Sequence, residues 1–502
     1  MTDFELEFGT GGLRGILGEG PGRMNLVTVG RAAQGVAEWA QSGSAVIAYD
    51  TRAMSREFAE HTARVLSGNG LRVWLFPRPV PTPTLSFAVR RLKADCGVCI
   101  TASHNPKEYN GFKVYGRDGG QITLADADAI RKKISGLVGS VKIADPDGAS
   151  LEKTAQNVPD ELVARYLAEV EKCRVTDIPC DVKIAYTPLN GAGRECVELT
   201  LRRMGASVVT VPEQAEPDGN FPTCPLPNPE EESALELGKA LCLKENCDLL
   251  LATDPDCDRV GVAVNHHGEM SRLTGNEVGV LLLEFLAKAR NAGNNGGSRP
   301  VAVKTVVTTP MADAICEAYG IELRNVLTGF KYIGEQIGLL EQNGEESRFL
   351  FGFEESCGYL SGTHARDKDG VNAALLITEM AADYKKRGLT LRDGMESLYE
   401  RYGRWATKLS SMSASGLAAE ALRQNPPKEV AGYPVLAVTD YLGGVRGLPP
   451  ADVLEYTLSV GKILVRPSGT EPKVKVYYLL RGVDVEEIDA DFQRLYLGRD
   501  TP

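Results

Sequence analysis

A chain of 502 residues is too long for one hydrophobic core, so three or four domains with clefts between them are expected. Hydrophobic residues at 43% and charged residues at 25% exclude a disordered or membrane-embedded chain, and the longest apolar stretch, Val278 to Ala287, is broken by Glu284 well short of the roughly 20 residues that span a bilayer. A net charge of −11 argues against a nucleic-acid partner, whose phosphates need concentrated lysine and arginine, but it leaves room for a local basic pocket holding a small anion.

Met1 to Glu7 carries three acids and neither a basic nor an apolar leader region, so a cytoplasmic location is expected. Eleven scattered cysteines suggest free thiols in a reducing compartment; Cys96 and Cys99 form a CxxC, but in a β-like run with no second pair at metal spacing. Three segments then repeat one pattern of apolar run, polar loop, helical stretch, glycine and second apolar run. The first runs from Ala45–Tyr49 through Glu57–Leu66 and Gly70 to Leu71–Phe76. The second runs from Val182–Tyr186 through Glu195–Met204 and Gly205 to Ser207–Val211, and the third from Val301–Val303 through Met311–Tyr319 and Gly320 to Ile321–Val326. This reads as one α/β module used three times, with each glycine in the left-handed position after its helix. A break near Asp177–Pro179, a glycine- and asparagine-rich run at Asn291–Pro300 and the end of a helical stretch near Tyr402–Gly403 divide the chain into 1–178, 179–298, 299–402 and 403–502.

Four strings carry chemistry. Thr101-Ala102-Ser103-His104-Asn105-Pro106 follows an apolar run and displays a serine on a loop, where its hydroxyl fits either a covalent phosphoryl or acyl carrier or a local turn cap. Asp254-Pro255-Asp256-Cys257-Asp258-Arg259 places three carboxylates at alternate positions after a strand, a set that suits Mg²⁺; an EF-hand is excluded by Arg259 and Asn265 at the required glycine and glutamate positions. Gly352-Phe353-Glu354-Glu355-Ser356-Cys357-Gly358, followed by Arg366-Asp367-Lys368-Asp369-Gly370, offers groups that read vicinal hydroxyls and move a proton, or else a solvated charged loop. Arg466-Pro467-Ser468-Gly469-Thr470-Glu471-Pro472-Lys473 combines a guanidinium fork, two hydroxyls and close backbone amides, as a phosphate clamp requires.

These strings in this order, with the opening Phe8-Gly9-Thr10-Gly11-Gly12-Leu13-Arg14-Gly15, resemble the α-D-phosphohexomutase superfamily over essentially the whole chain. The resemblance implies three related α/β domains plus a smaller C-terminal α+β domain around a central cleft. By position it implies that Ser103 is the phosphoserine and that Asp254, Asp256 and Asp258 hold Mg²⁺ with an oxygen of phosphorylated Ser103. Glu354 and Ser356 match the readers of sugar hydroxyls, helped by Thr328 and Gly329; Arg466, Ser468, Gly469 and Thr470 match the distal phosphate clamp, joined by Lys475. Arg259 and Arg366 are further expected substrate contacts, and Arg14 is expected near the reacting phosphate. His104, Lys113 and Lys368 are the candidates for proton transfer, Lys368 first.

The implied reaction interconverts a sugar 1-phosphate and 6-phosphate through a 1,6-bisphosphate, which also serves as activator. The Lys107–Gly111 string and the Glu-Glu-Ser loop look like the phosphoglucomutase and phosphopentomutase branch, which makes glucose 1-phosphate the first expected substrate. Mannose and pentose phosphates, a bisphosphate synthase and an inactive regulatory paralogue are the alternatives.

Overall fold

The computed structural model describes residues 6–9, 11–137, 140–145, 151–293, 298–413, 416–467 and 473–494. Each of the three repeated segments folds as two parallel strands joined by a helix: Ser44–Tyr49 with Arg72–Leu75, Lys183–Thr187 with Ser207–Thr210, and Val301–Thr305 with Glu322–Val326. The connecting helices, Ser55–Gly68, Arg194–Arg203 and Met311–Tyr319, end ahead of Gly70, Gly205 and Gly320, whose φ angles of 88°, 97° and 65° are left-handed as expected. The first strand of each pair is buried on nearly every residue, which is why its sequence reads as a continuous apolar run without alternation.

A third parallel strand then pairs on the other side of the first: Cys96–Ile100, Leu249–Thr253 and Phe349–Glu354. After each, the chain reverses into an antiparallel strand: Tyr109–Gly116, Val260–His266 and Gly358–Leu360. The serine string, the aspartate string and the Glu-Glu-Ser string therefore occupy the same connection in three copies of one sheet, at the carboxyl ends of the parallel strands. Open α/β sheets bind ligands at those ends.

The fourth unit is an antiparallel six-stranded sheet, running from Trp405–Ser413 through Lys473–Arg481, Gly461–Pro467, Leu454–Leu458 and Tyr433–Asp440 to Glu429–Val430. It carries the helices Gly416–Gln424 and Val485–Phe492. Its core is separate, built from one face of these strands with Ile488 and Phe492 of the last helix.

Two helices tie the α/β units together. The helix Gly370–Lys386 is buried along most of its length and packs on Asp160–Glu171 and Arg194–Arg203. The helix Gly275–Gly293 packs on Phe349–Glu354, Met311–Tyr319 and Leu391–Tyr402, because its Val278, Leu282 and Leu286 side find their apolar cover there. A single hydrophobic core consequently runs through all three α/β units. Among the described residues, no helix is long and apolar enough to cross a membrane.

Candidate active site

Ser103 sits three residues past its strand with φ of 53°, a left-handed conformation that costs a non-glycine residue about 1–2 kcal/mol. Neighbouring bonds hold it there. Its N–H donates to Thr101 Oγ1 (2.8 Å), and the Arg52 guanidinium donates to the carbonyls of Ser103 (2.5 Å), Pro106 (2.8 Å) and Asn105. Arg52 is itself paired with Asp50 at 3.3 Å, both side chains fully buried. Gly111, on the strand that follows, lets this loop lie flat on its neighbours, since a Cβ there would meet the Thr101 carbonyl oxygen at 2.4 Å. Cys257 and Cys357 take the same left-handed conformation, with φ of 53° and 60°, in the equivalent loops of the second and third units.

Backbone bonds clip the three loops into one surface. The Thr82 N–H donates to the Asp256 carbonyl (2.8 Å), the Val260 N–H to the Cys357 carbonyl (3.0 Å) and the Gly370 N–H to the Cys257 carbonyl (3.1 Å). Ser103 Oγ thereby comes to donate to Asp254 Oδ2 at 2.8 Å, across 151 positions of sequence. His104 Nδ1 lies 3.3 Å from the same hydroxyl; burial, then the nearby Arg259 and Arg14 charges, hold this imidazole well below its usual range, so it is neutral at neutral pH.

Asp254, Asp256 and Asp258 are all buried, and they present oxygens within 4.8 Å of one another. Their charges are unevenly balanced. Asp254 Oδ1 accepts from the N–H groups of Asp258 and Arg259 (3.1 Å each), yet burial, followed by repulsion from Asp256 and Asp258, raises its carboxyl well above the usual range. Asp256 is also opposed by burial, but the Lys113 ammonium at 2.8 Å holds it below. Asp256 Oδ1 and Asp258 Oδ1 are buried without a hydrogen-bond partner. Two buried carboxylate oxygens without a hydrogen-bond partner, in a cluster of three acids, fit a hard divalent cation that takes all-oxygen ligands.

Lys113 and Lys368 flank this cluster. Lys113 Nζ also lies 3.5 Å from Asp258, while Lys368 Nζ lies 3.2 Å from Asp258 and 3.3 Å from Asp367. Burial disfavours both ammonium groups, but the carboxylates outweigh it and keep both lysines charged. Gly358 makes room for the Lys368 stem, since a Cβ there would meet Lys368 Cδ at 2.2 Å.

The Glu354 carboxylate accepts from the Gly329 N–H at 2.8 Å, which joins the Glu-Glu-Ser loop to the Thr328-Gly329 turn at the start of the helix Phe330–Gln342. Glu355 accepts from Thr305 Oγ1 (3.2 Å) and Thr308 Oγ1 (3.1 Å); burial and the adjacent Glu354 push it up to about 7. From the fourth unit, Arg466 and Lys475 stand opposite each other on paired antiparallel strands, and burial together with Arg466 lowers the Lys475 ammonium.

Most of these groups line one cleft of about 810 Å³, to which each of the four units contributes. The structure brings Arg14, Ser103, His104, Lys113, Arg259 and Lys368 to its wall. It also places Thr328, Gly329, Glu354, Ser356, Arg466 and Lys475 there, with Asp254 and Asp256 buried behind Ser103 and Lys113. Ser468, Gly469 and Thr470 lie outside the described residues.

Arg366 is a correction. Expected to contact substrate, it is instead fully buried away from the cleft, its guanidinium donating to the carbonyls of Thr363 (2.6 Å) and Ala365 (3.1 Å) and to Glu341 (2.8 Å). Its neighbours Asp367 and Lys368 reach the cleft, while Arg366 is held back by Glu341 and the Thr363 and Ala365 carbonyls. Arg366→Met should accordingly lower the thermal midpoint, through about 1–3 kcal/mol of unmade hydrogen bonds, while the KM for the sugar phosphate stays within twofold. Thermal unfolding and initial rates measured side by side would check both halves.

Sequence reasoning missed Arg52 and Asp50, the pair that pins the serine loop, and Glu230 and Arg272 on the cleft wall. Asp50 offered a signal, being a charged residue immediately after a largely apolar strand, with Arg52 two positions on. Glu230 offered none: it pairs with Arg259 at 2.8 Å only because the second unit folds its long loop back on itself.

A buried acidic cluster touching a strained serine, with basic groups lining the same cleft, defines a site built for phosphoryl transfer. Family models for the α/β/α domains I, II and III and the C-terminal domain of phosphoglucomutase/phosphomannomutase match residues 5–137, 164–268, 274–402 and 418–481. The chain is 36% identical to a probable phosphomannomutase of Haemophilus influenzae over 93% of this chain and 95% of that one. It is 34% identical to a phosphoglucomutase of Staphylococcus haemolyticus over 98% and 94%. A crystal structure from Thermus thermophilus, named for a phosphomannomutase, superimposes with a TM-score of 0.75 at 25% identity, over 99% of this chain and 100% of that one. The chain belongs to the phosphoglucomutase/phosphomannomutase family, within the α-D-phosphohexomutase superfamily.

Proposed function

We propose that this phosphohexomutase is a phosphoglucomutase that interconverts glucose 1-phosphate and glucose 6-phosphate through phosphorylated Ser103. The observation that carries the reading is the 2.8 Å contact between Ser103 Oγ and Asp254, at the wall of the cleft that Arg466 and Lys475 also line. Asp254, Asp256 and Asp258 would hold Mg²⁺, whose charge, when bound, offsets that on the transferring phosphoryl oxygens.

The chain's own groups supply the rest. The strained backbone at Ser103 points the hydroxyl out of the loop, and Arg14, which donates to Asn105 at 3.2 Å, presents a further cation beside it. Phosphorylated Ser103 gives its phosphoryl group to the free hydroxyl of a sugar 1-phosphate, and after the bisphosphate turns around the other phosphoryl group returns to Ser103 Oγ. Lys368 Nζ is the group we assign to proton transfer: in each half-reaction its ammonium gives a proton to the departing oxygen and takes up the one the attacking hydroxyl loses, so it ends charged as it began. Lys113, held between Asp256 and Asp258, keeps the acidic cluster in place, and neutral His104 stands with Nδ1 3.3 Å from Ser103 Oγ.

Glu354 and Ser356 read the sugar hydroxyls, and Arg466 with Lys475, Ser468, Gly469 and Thr470 holds the distal phosphate. The activator is the sugar 1,6-bisphosphate. The domain division we propose follows the sheets, with the second boundary moved to about 273 by the packing of Gly275–Gly293.

The choice of glucose rests on the Glu-Glu-Ser loop and on relatives at 33–35% identity that carry the phosphoglucomutase name, in several Staphylococcus species. Phosphomannomutase is the second reading, carried by the Haemophilus relative. Initial rates on glucose, mannose, N-acetylglucosamine and ribose 1-phosphates, with Mg²⁺ and a trace of the matching bisphosphate, decide between them. Glucose 1-phosphate is expected to turn over about tenfold or more faster than the rest, a preference worth about 1.4 kcal/mol at the transition state. A dominant mannose or ribose rate would keep the chemistry and replace the substrate.

A further inference from the structure

The loop 361–369 has two faces. Asp367 and Lys368 line the reaction cleft, whereas Ser361, Gly362, Thr363 and His364 line a second cavity of about 730 Å³, in the size range of sites for small organic ligands. Arg90, Arg91, Lys172 and Arg290 surround that cavity against one carboxylate, Glu169, and Arg290 Nε is buried without a hydrogen-bond partner. Phe87, Leu286 and Phe349 supply an apolar wall. Of the eleven cysteines, ten are buried; the exception, Cys173, opens into this cavity.

Cys173 Sγ lies 4.0 Å from His364 Nδ1 and 3.5 Å from the Ser361 carbonyl oxygen. His364 Nε2 lies 2.8 Å from Asp369 Oδ2, with the imidazole 4% exposed and the carboxylate fully buried. Burial works against the charge on His364, but Asp369 and then Cys173 outweigh it and lift the imidazole to about 10, so the ring is a cation at neutral pH. A partly exposed thiol beside a histidine held by a carboxylate, in a cationic cavity, has the surroundings of a reactive cysteine.

We propose that Cys173 is a modification site, at which a small anionic disulfide forms a mixed disulfide, and that the adduct lowers turnover through the loop carrying Lys368. The Cys173 sulfur attacks one sulfur of the reagent, a new S–S bond forms as the old one breaks, and the departing thiolate takes up the proton released from Cys173. Cys173 is oxidised and half of the reagent leaves reduced, so no other oxidant is required. The arginine and lysine side chains around the cavity suit carboxylates on the incoming reagent.

The adduct reaches the active site by a short route. Carboxylates brought into the cavity compete with Asp369 for the His364 cation. Asp369 accepts from the N–H groups of Val371 and Asn372 (2.9 Å each) to cap the helix Gly370–Lys386, and it directly follows Lys368. Gly362, where a Cβ would come within 2.7 Å of Cys173 Sγ, shows how tightly this loop lies against the sulfur.

The test uses glutathione disulfide on the intact enzyme, with intact mass, peptide mapping and initial rates. One glutathionyl adduct per chain is expected, on Cys173. It should be absent in Cys173→Ser, whose basal turnover is unchanged. Turnover of the adduct should fall about fivefold or more and recover with dithiothreitol. Lys172→Glu should slow the reaction with glutathione disulfide about tenfold, while leaving the rate with uncharged bis(2-hydroxyethyl) disulfide unaltered. No adduct on Cys173 in the native enzyme, equal charge dependence for both reagents, or a stoichiometric adduct with full turnover would overturn the proposal. The turnover arm rests on the mutase reading, but the mass measurement does not, so the two fail separately.

Discussion

Replacing Ser103 by alanine is expected to lower mutase turnover by about four orders of magnitude or more, with the fold intact. The size follows from the role: a covalent carrier has no substitute, and loss of a nucleophile costs on the order of 10⁶ in enzymes where it has been measured. The local structure adds a second expectation. Alanine keeps the backbone bonds that Arg52 makes to the loop and loses the hydroxyl contacts to Asp254 and His104, so thermal unfolding should shift by a few degrees at most. Incubation with a bisphosphate carrying labelled phosphate should mark the wild type on Ser103 and leave the variant unlabelled. Wild-type turnover in the variant would remove the serine from the mechanism.

The second large effect is expected at the acidic cluster. Chelation by EDTA should reduce turnover below about 1% of its starting value and added Mg²⁺ should restore it, while Asp256→Asn should cost two to three orders of magnitude even at saturating Mg²⁺. The three buried carboxylates repel one another, and Lys113, Lys368 and Arg259 offset them in part. A cation that binds the folded state alone therefore stabilises it, by about 2.7 kcal/mol at a hundredfold excess over its dissociation constant. The wild type should show this as a rise in thermal midpoint with Mg²⁺, and Asp256→Asn should show little of it. A midpoint that ignores Mg²⁺ in the wild type would place the metal elsewhere.

Much of the architecture was legible in the order of residues, because its signals are local. Buried parallel strands read as apolar runs, helices end at glycines that tolerate a positive φ, and the three modules were visible at Ser44–Tyr49, Lys183–Thr187 and Val301–Thr305 for those reasons. A polar, glycine-rich run near 298 suggests a connection in the sequence but says nothing of which sheet the preceding helix covers. The helix Gly275–Gly293 follows its apolar side to the third unit. Arg366 failed for a related reason: a motif fixes the neighbours of a residue along the chain, whereas the side of a turn that a side chain takes is fixed by what packs there, here Glu341 and the Thr363 carbonyl.

By itself the sequence determined the chemical inventory of this protein: a serine on a strand-end loop, three alternating aspartates, a glutamate and serine loop, and an arginine loop, each short enough to be read from its own residues. Only the tertiary structure decided that three of these strings occupy one connection in three copies of a sheet, that Ser103 meets Asp254 at 2.8 Å, and that Cys173, His364 and Asp369 gather behind Lys368. The physical reason is range. Backbone preference and burial pattern act over a few residues, whereas a contact between positions 151 apart exists only once the shared core has fixed the sheets against one another.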